Sequence, residues 1–137
     1  MIKEFVDEWF ARQDWVNTQL KTRPIRDYED LVKIVAECVM FKEEDYLDQL
    51  YIKRTAFNDY SGVEYFIITT NTTADTDETY ITHNWYGSCS GCDTLLGITH
   101  YEETGFDEQQ IKDLNTLCLH LLQRMKPIYT EEELKDE

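Results

Sequence analysis

No run of 18 apolar residues occurs anywhere in the chain, which excludes a membrane-spanning helix. The first residues, Met1-Ile2-Lys3-Glu4-Phe5-Val6-Asp7, interleave charges with apolar side chains and do not build the core of a secretory signal. A cytoplasmic location is expected on that ground. Basic residues are few: 13 Lys and Arg stand against 28 Asp and Glu, a net charge of −15. A chain so acidic repels phosphate, which argues against nucleic acid as a direct partner and against docking on anionic lipid. Catalytic signatures are missing too. There is no Gly-x-Ser-x-Gly, no His-Glu-x-x-His and no glycine loop to cradle a phosphate. A nucleobase-deaminase pattern needs His-x-Glu and Pro-Cys-x-x-Cys, but Asn84-Trp85 follows His83 and Ser88 precedes Cys89. No internal repeat and no interdomain linker is visible.

What is present is enough to fold. Of the 137 residues, 42% are hydrophobic and 13% aromatic, which suffices for one core. A single domain over residues 1–129 is expected, followed by an acidic, mobile tail at 130–137. The acidity has two readings. It can steer the chain onto a basic protein surface, or it can serve solubility alone.

Residues 3–20 read as a first helix, with Phe5, Trp9, Phe10 and Val16 at helical spacing, and Thr22-Arg23-Pro24 ends it. Asp27 reads as the N-cap of a second helix, whose apolar stripe is Leu31, Ile34, Val35, Cys38 and Phe41. A polar link at 42–45 follows. Residues 51–57, 63–70 and 79–86 are rich in β-branched and aromatic side chains and are joined by turn-rich links, as in an antiparallel meander. In the third run Ile81, His83 and Trp85 share one face; if the apolar pair points at the core, so does His83. Residues 94–98 are short, apolar and left unassigned. A loop at 99–105 carries His100. A last helix runs from 106 or 107 to 126 and stops at Pro127, with Cys118 near the centre of its apolar face and His120 almost opposite. The expected class is α+β: two N-terminal helices, a three-stranded antiparallel sheet, a cysteine knuckle and a C-terminal helix.

The knuckle is Tyr86-Gly87-Ser88-Cys89-Ser90-Gly91-Cys92-Asp93. Two thiolates two residues apart can hold one metal ion, and the glycines let the turn close around it. Zinc on Cys89 and Cys92 needs two further ligands, for which His83, His100, Cys118, His120 and Asp93 compete. Cys118 and His120 cannot both join one ion, since positions two apart on a helix diverge. A redox dithiol is the second reading, although the acidic surroundings would raise a thiol pKa. A plain turn is the third. The carboxylates are not visibly paired in an apolar pocket, so a metal here would be structural rather than catalytic.

The knuckle with its continuation, Tyr86 through Thr94-Leu95, and the segment Leu117-Cys118-Leu119-His120-Leu121-Leu122-Gln123-Arg124-Met125-Lys126 together resemble small accessory proteins of bacteriophages and prophages of Gram-positive hosts. Some small acidic phage proteins are anti-CRISPR inhibitors of the type II effector nuclease, and a zinc-containing member fits that group. The resemblance implies a host-cell cytoplasmic protein, not an enzyme, that binds the nuclease and blocks DNA loading. It brings His120 forward beside Cys89, Cys92 and His83 as a zinc ligand, where helical geometry alone leaves it on the surface. The nuclease has positively charged channels for nucleic acid. Carboxylates of the N-terminal half, of the loop region at Asp75, Asp77 and Glu78, and of the tail are therefore the expected contact surface. A zinc- or thiol-dependent phage enzyme acting on a small molecule is the alternative. An oligomerising structural protein, with Trp9, Phe10 and Trp15 as its patch, is a third.

Overall fold

The elements follow from where the chain can bury its apolar stripes. The computed structural model describes residues 2–40, 50–56, 62–70, 78–89, 91 and 93–128. Helices α1 (Ile2–Ala11), α2 (Gln13–Thr22) and α3 (Tyr28–Val39) come first. Strands β1 (Leu50–Ala56), β2 (Gly62–Thr70) and β3 (Glu78–Tyr86) follow, then α4 (Thr94–Thr99), α5 (Glu108–Gln123) and the two-residue strand β4 (Lys126–Pro127). The fold is α+β, with an antiparallel sheet in the order β1-β2-β3-β4.

The expected first helix is divided in two. Arg12 leaves helical geometry at φ −113°, ψ 29°, yet its N–H still reaches Glu8 O at 3.1 Å and its carbonyl accepts from Val16 N–H at 3.0 Å. Its side chain accompanies the break: Nη1 donates to Cys38 O at 2.6 Å, and the guanidinium lies 4.5 Å from the Trp15 ring centroid. Arg12 thus pins the α1–α2 junction to the end of α3. Asp27 caps α3 as expected, its carboxylate accepting from Asp30 N–H at 3.1 Å. Asp107 caps α5 through a capping box completed by Gln110.

The last helix is shorter than its sequence suggests. It ends at Gln123, where Met125 N–H turns back to Leu122 O at 3.1 Å. Proline at 127 disfavours helical geometry at the residue before it, and Lys126-Pro127 pairs instead with Ile81 and Tyr80 of β3. The unassigned segment after the knuckle is α4, six residues opened by the Asp93 N-cap and closed by His100 in the left-handed region at φ 53°.

One hydrophobic cluster joins the helices to the inner face of the sheet. Trp9, Leu20, Leu31, Ile34, Val35, Leu114, Leu121 and Leu122 are buried in it with Phe66 and Ile68 of β2. Phe5 meets Tyr80 edge-on at 5.2 Å. Cys38 and Cys118 are both core residues. The orientation of β3 is a correction. Tyr80, Thr82 and Asn84 face inward, across from Ile68, Phe66 and Glu64, so Ile81, His83 and Trp85 face outward. Apolarity misleads on this strand because the polar inner residues are accommodated one by one. Thr82 Oγ1, for example, donates to Leu121 O at 2.6 Å.

β4 pairs with β3 only at Tyr80 and Ile81, so the edge of β3 continues beyond it. Side chains occupy two carbonyls there: Arg124 Nη1 approaches His83 O at 3.4 Å, and Asn84 Nδ2 donates to Trp85 O at 2.9 Å. Such an edge is poorly suited to recruiting a strand from elsewhere. Phe41, the link at 42–45, Phe57, the turn at 58–61, Asp75, Asp77, Cys92 and the tail at 130–137 lie outside the described residues, as does the side chain of Glu78.

Candidate functional site

The knuckle is built around Asp93. Gly87 N–H donates to its Oδ2 at 2.8 Å. Oδ1 accepts from Leu96 N–H at 3.0 Å and from the Tyr28 hydroxyl at 2.9 Å. Asp93 N–H closes the turn on Cys89 O at 2.9 Å. The Tyr28 oxygen in turn accepts from Leu95 N–H at 3.1 Å. One buried carboxylate therefore ties the end of β3, the start of α4 and the start of α3 together. Burial raises the Tyr28 pKa well above the ordinary range, and the neighbouring Asp93 adds to the effect, so the hydroxyl remains a donor.

The candidate metal ligands are dispersed. Cys89 is exposed on the turn, and Cys92 lies outside the described residues. Asp93 is buried with both oxygens engaged, which makes it a clasp rather than an open ligand. His120 is exposed on α5 and, with Thr94, Ile98, Asp113, Thr116 and Leu117, lines a groove of about 260 Å³ against α4. That places it beside the helix into which the knuckle runs. His83 is exposed on the outer face of the sheet, its ring 5.9 Å from that of Tyr65, whereas His120 belongs to the helical layer on the other side. The structure does not bring those two histidines together. His100 is exposed at the end of α4. Cys118 is fully buried, and burial raises its pKa, with Cys38 a secondary cause; burial likewise pushes Cys38 up to about 11. Both are neutral thiols at pH 7. Among the described residues, no three His, Cys, Asp or Glu side chains converge as a metal cluster.

A second feature lies on α1. Trp9 is buried and Trp15 is half-buried beside Arg12, but Phe10 is 58% exposed. Exposed Glu4 and Asp7 occupy the same side of α1, at the spacing that lines up one face, and Asp14 is exposed beyond the Arg12 break, in α2. Lys3 is the described cation of this face. A second acidic ridge comprises Glu102 and Glu103 with Asp107 and Glu108 at the start of α5. Ile25 N–H donates to Glu103 O at 2.8 Å and holds that ridge against the α2–α3 link.

The Asp93–Tyr28 clasp and the burial of Glu64 were not read from the sequence. Asp93 could have been found there, because an Asp just before an apolar segment is an N-cap signal. Tyr28 carried no comparable sign, since its partner is 65 positions away. Comparison with known proteins adds no relative: no family model, curated protein or solved structure matches the chain.

Proposed function

We propose that the chain is a protein-binding inhibitor rather than an enzyme, and that its partner is a basic protein surface that otherwise holds nucleic acid. The concrete target is the effector nuclease of a type II CRISPR system in the host of a phage. The observation that carries this reading is Phe10, a large aromatic ring left in solvent on α1, a helix that also exposes Glu4 and Asp7. Exposed aromatic residues anchor interfaces, and a carboxylate rim steers them to a basic partner. The net charge of −15 extends that steering beyond contact range. Zinc on Cys89 and Cys92, with His120 the ligand candidate that lines the neighbouring α4 groove, would staple the knuckle as a structural element. The test is a DNA-loading assay. Guide-loaded nuclease should lose target-duplex binding in proportion to added protein, and a Phe10→Ala variant should lose most of that effect. Undiminished loading at saturating protein would remove the nuclease as the target.

A further inference from the structure

The seam between α2 and α5 is polar over part of its length, although a helix seam is ordinarily closed by apolar side chains. Gln13, Asn17 and Lys21 recur every four residues along α2, and Lys112, Asn115 and Thr116 follow helical spacing along α5. Between these two stripes lies a groove of about 330 Å³, at the small end of the range for ligand-binding clefts. Three half-buried carboxamides organise it. Asn115 Nδ2 donates to Gln13 Oε1 at 2.8 Å and to Asn17 Oδ1 at 3.0 Å. Gln13 Nε2 donates in turn to Trp9 O at 2.8 Å. Both hydrogens of Asn115 Nδ2 are therefore engaged on α2, which fixes the way each amide is turned. Asn17 Nδ2 is left as a donor and Asn115 Oδ1 as an acceptor, neither of them bonded among the described residues. The lysines are unengaged too. Among the described residues neither Lys21 nor Lys112 forms an ion pair, although the chain has 28 acidic residues against 13 basic ones. Glu108, also on the groove, stands four residues before Lys112, the favourable order for a helical pair, and the two still do not meet.

We infer that this groove binds a small hydroxylated monocarboxylate. Charge selects the anion. The lining carries two ammonium groups and one carboxylate, a surplus of one positive charge in a chain of net charge −15. A single carboxylate balances that surplus. A phosphate dianion exceeds it, and Glu108 and the field of the whole chain then oppose it. Cations are disfavoured by the same two lysines. Hydrogen bonding selects the rest of the ligand. The carboxylate accepts from the lysines and from Asn17 Nδ2, and charge-assisted bonds of that kind are the strong ones. Thr116 Oγ1 already donates to Lys112 O at 3.1 Å, so it offers the groove an acceptor, as Asn115 Oδ1 does. Ligand hydroxyls satisfy both, since a hydroxyl donates as well as accepts; an apolar body would leave them without partners. The amide network also serves binding better than it serves stability. Hydrogen bonds between half-buried amides add little net stability to a fold, whereas donors and acceptors held in place beforehand lower the cost of ordering a ligand.

The experiment is a proton–nitrogen NMR titration of the full chain with sodium gluconate at constant ionic strength, following the side-chain amides of Gln13, Asn17 and Asn115. The expected result is a saturable shift of these signals, half complete at about 1 mM or below. Lys21→Ala and Lys112→Ala should each weaken binding by about fivefold and leave the melting temperature unchanged, because both side chains are exposed and make no ion pair among the described residues. Asn17→Asp is the sharper variant. It keeps an acceptor oxygen for Asn115 Nδ2 but puts a carboxylate oxygen where the amide donor stood, so it should melt like wild type and lose binding altogether. The absence of a saturable shift up to about 20 mM gluconate would overturn the inference. Equal binding by wild type and Asn17→Asp would do the same, as would identical shifts produced by sodium chloride alone. Tighter binding of inorganic phosphate at the same amides would overturn the assignment of the ligand as a carboxylate.

Discussion

The Tyr28 hydroxyl donates to Asp93 Oδ1 at 2.9 Å, across 65 positions of sequence. The same oxygen of Tyr28 accepts from Leu95 N–H, so this pair fixes the start of α3 against the start of α4. The knuckle carrying Cys89 is suspended from that clasp at one end and from β3 at the other.

Removing the clasp should therefore loosen the knuckle before the core. Tyr28→Phe deletes the donor to Asp93 and leaves the Leu95 amide unsatisfied, at a cost of about 1–3 kcal/mol. Asp93→Ala strands the amides of Gly87 and Leu96 and the Tyr28 hydroxyl, and should cost about 3–5 kcal/mol. Asp93→Asn keeps part of the acceptor capacity and should fall between wild type and Asp93→Ala. Thermal denaturation gives the ranking, and amide exchange should show Gly87 and Leu96 losing protection first. Equal stability for Asp93→Ala and wild type would show that the clasp contributes nothing.

Stability should also decline in alkali. Tyr28, Cys38 and Cys118 are buried acids whose neutral forms the fold prefers, so their folded pKa values lie above their ordinary ones. For Cys38 the rise is from 9.0 to about 11. Below about pH 9 both the folded and unfolded chains hold these protons, and the full contribution is present. Above it the unfolded chain releases protons that the folded chain keeps, so unfolding becomes easier, by up to about 1.4 kcal/mol per pH unit for each group. Urea titrations from pH 8 to 11 should show midpoints falling steadily above pH 9. Cys38→Ala should flatten part of that slope, and a midpoint independent of pH would contradict the burial of these groups.

The knuckle gives a metal prediction. Protein purified without a metal-affinity tag should carry about one zinc per chain, and Cys89→Ser should lose it and melt at a lower temperature. His120→Ala should weaken zinc retention if the histidine beside α4 is a ligand, whereas His83→Ala should leave it unchanged, because His83 stands on the outer face of the sheet. Metal-free protein with a freely reactive Cys89 would remove zinc from the account.

Much of the fold was legible because its signals are local. Asp27 and Asp107 cap their helices where sequence places them, and the three strands lie within a residue of their expected bounds at most ends. Helical spacing put Cys118 inside and His120 outside, and the structure agrees. What failed depended on partners distant in sequence. The break at Arg12 accompanies a bond to Cys38, which no local pattern marks. The facing of β3 was misjudged because its apolar residues Ile81 and Trp85 lie outward while Thr82 and Asn84 are buried. For the candidate site, sequence located the Cys89 turn but not the clasp that holds it. It weighed Phe10 with Trp9 and Trp15 as one patch, although only Phe10 of the three is largely exposed.

The most direct test of the functional account is the affinity of the purified chain for guide-loaded type II effector nuclease, measured at 50, 150 and 400 mM salt. An acidic interface centred on Phe10 predicts tight binding at low salt that weakens progressively as salt rises. It also predicts a loss of at least tenfold for the triple reversal Glu4→Lys, Asp7→Lys, Asp14→Lys in a variant that still melts like wild type. Binding unaffected by both salt and the reversal, or no binding at any salt, would contradict the account.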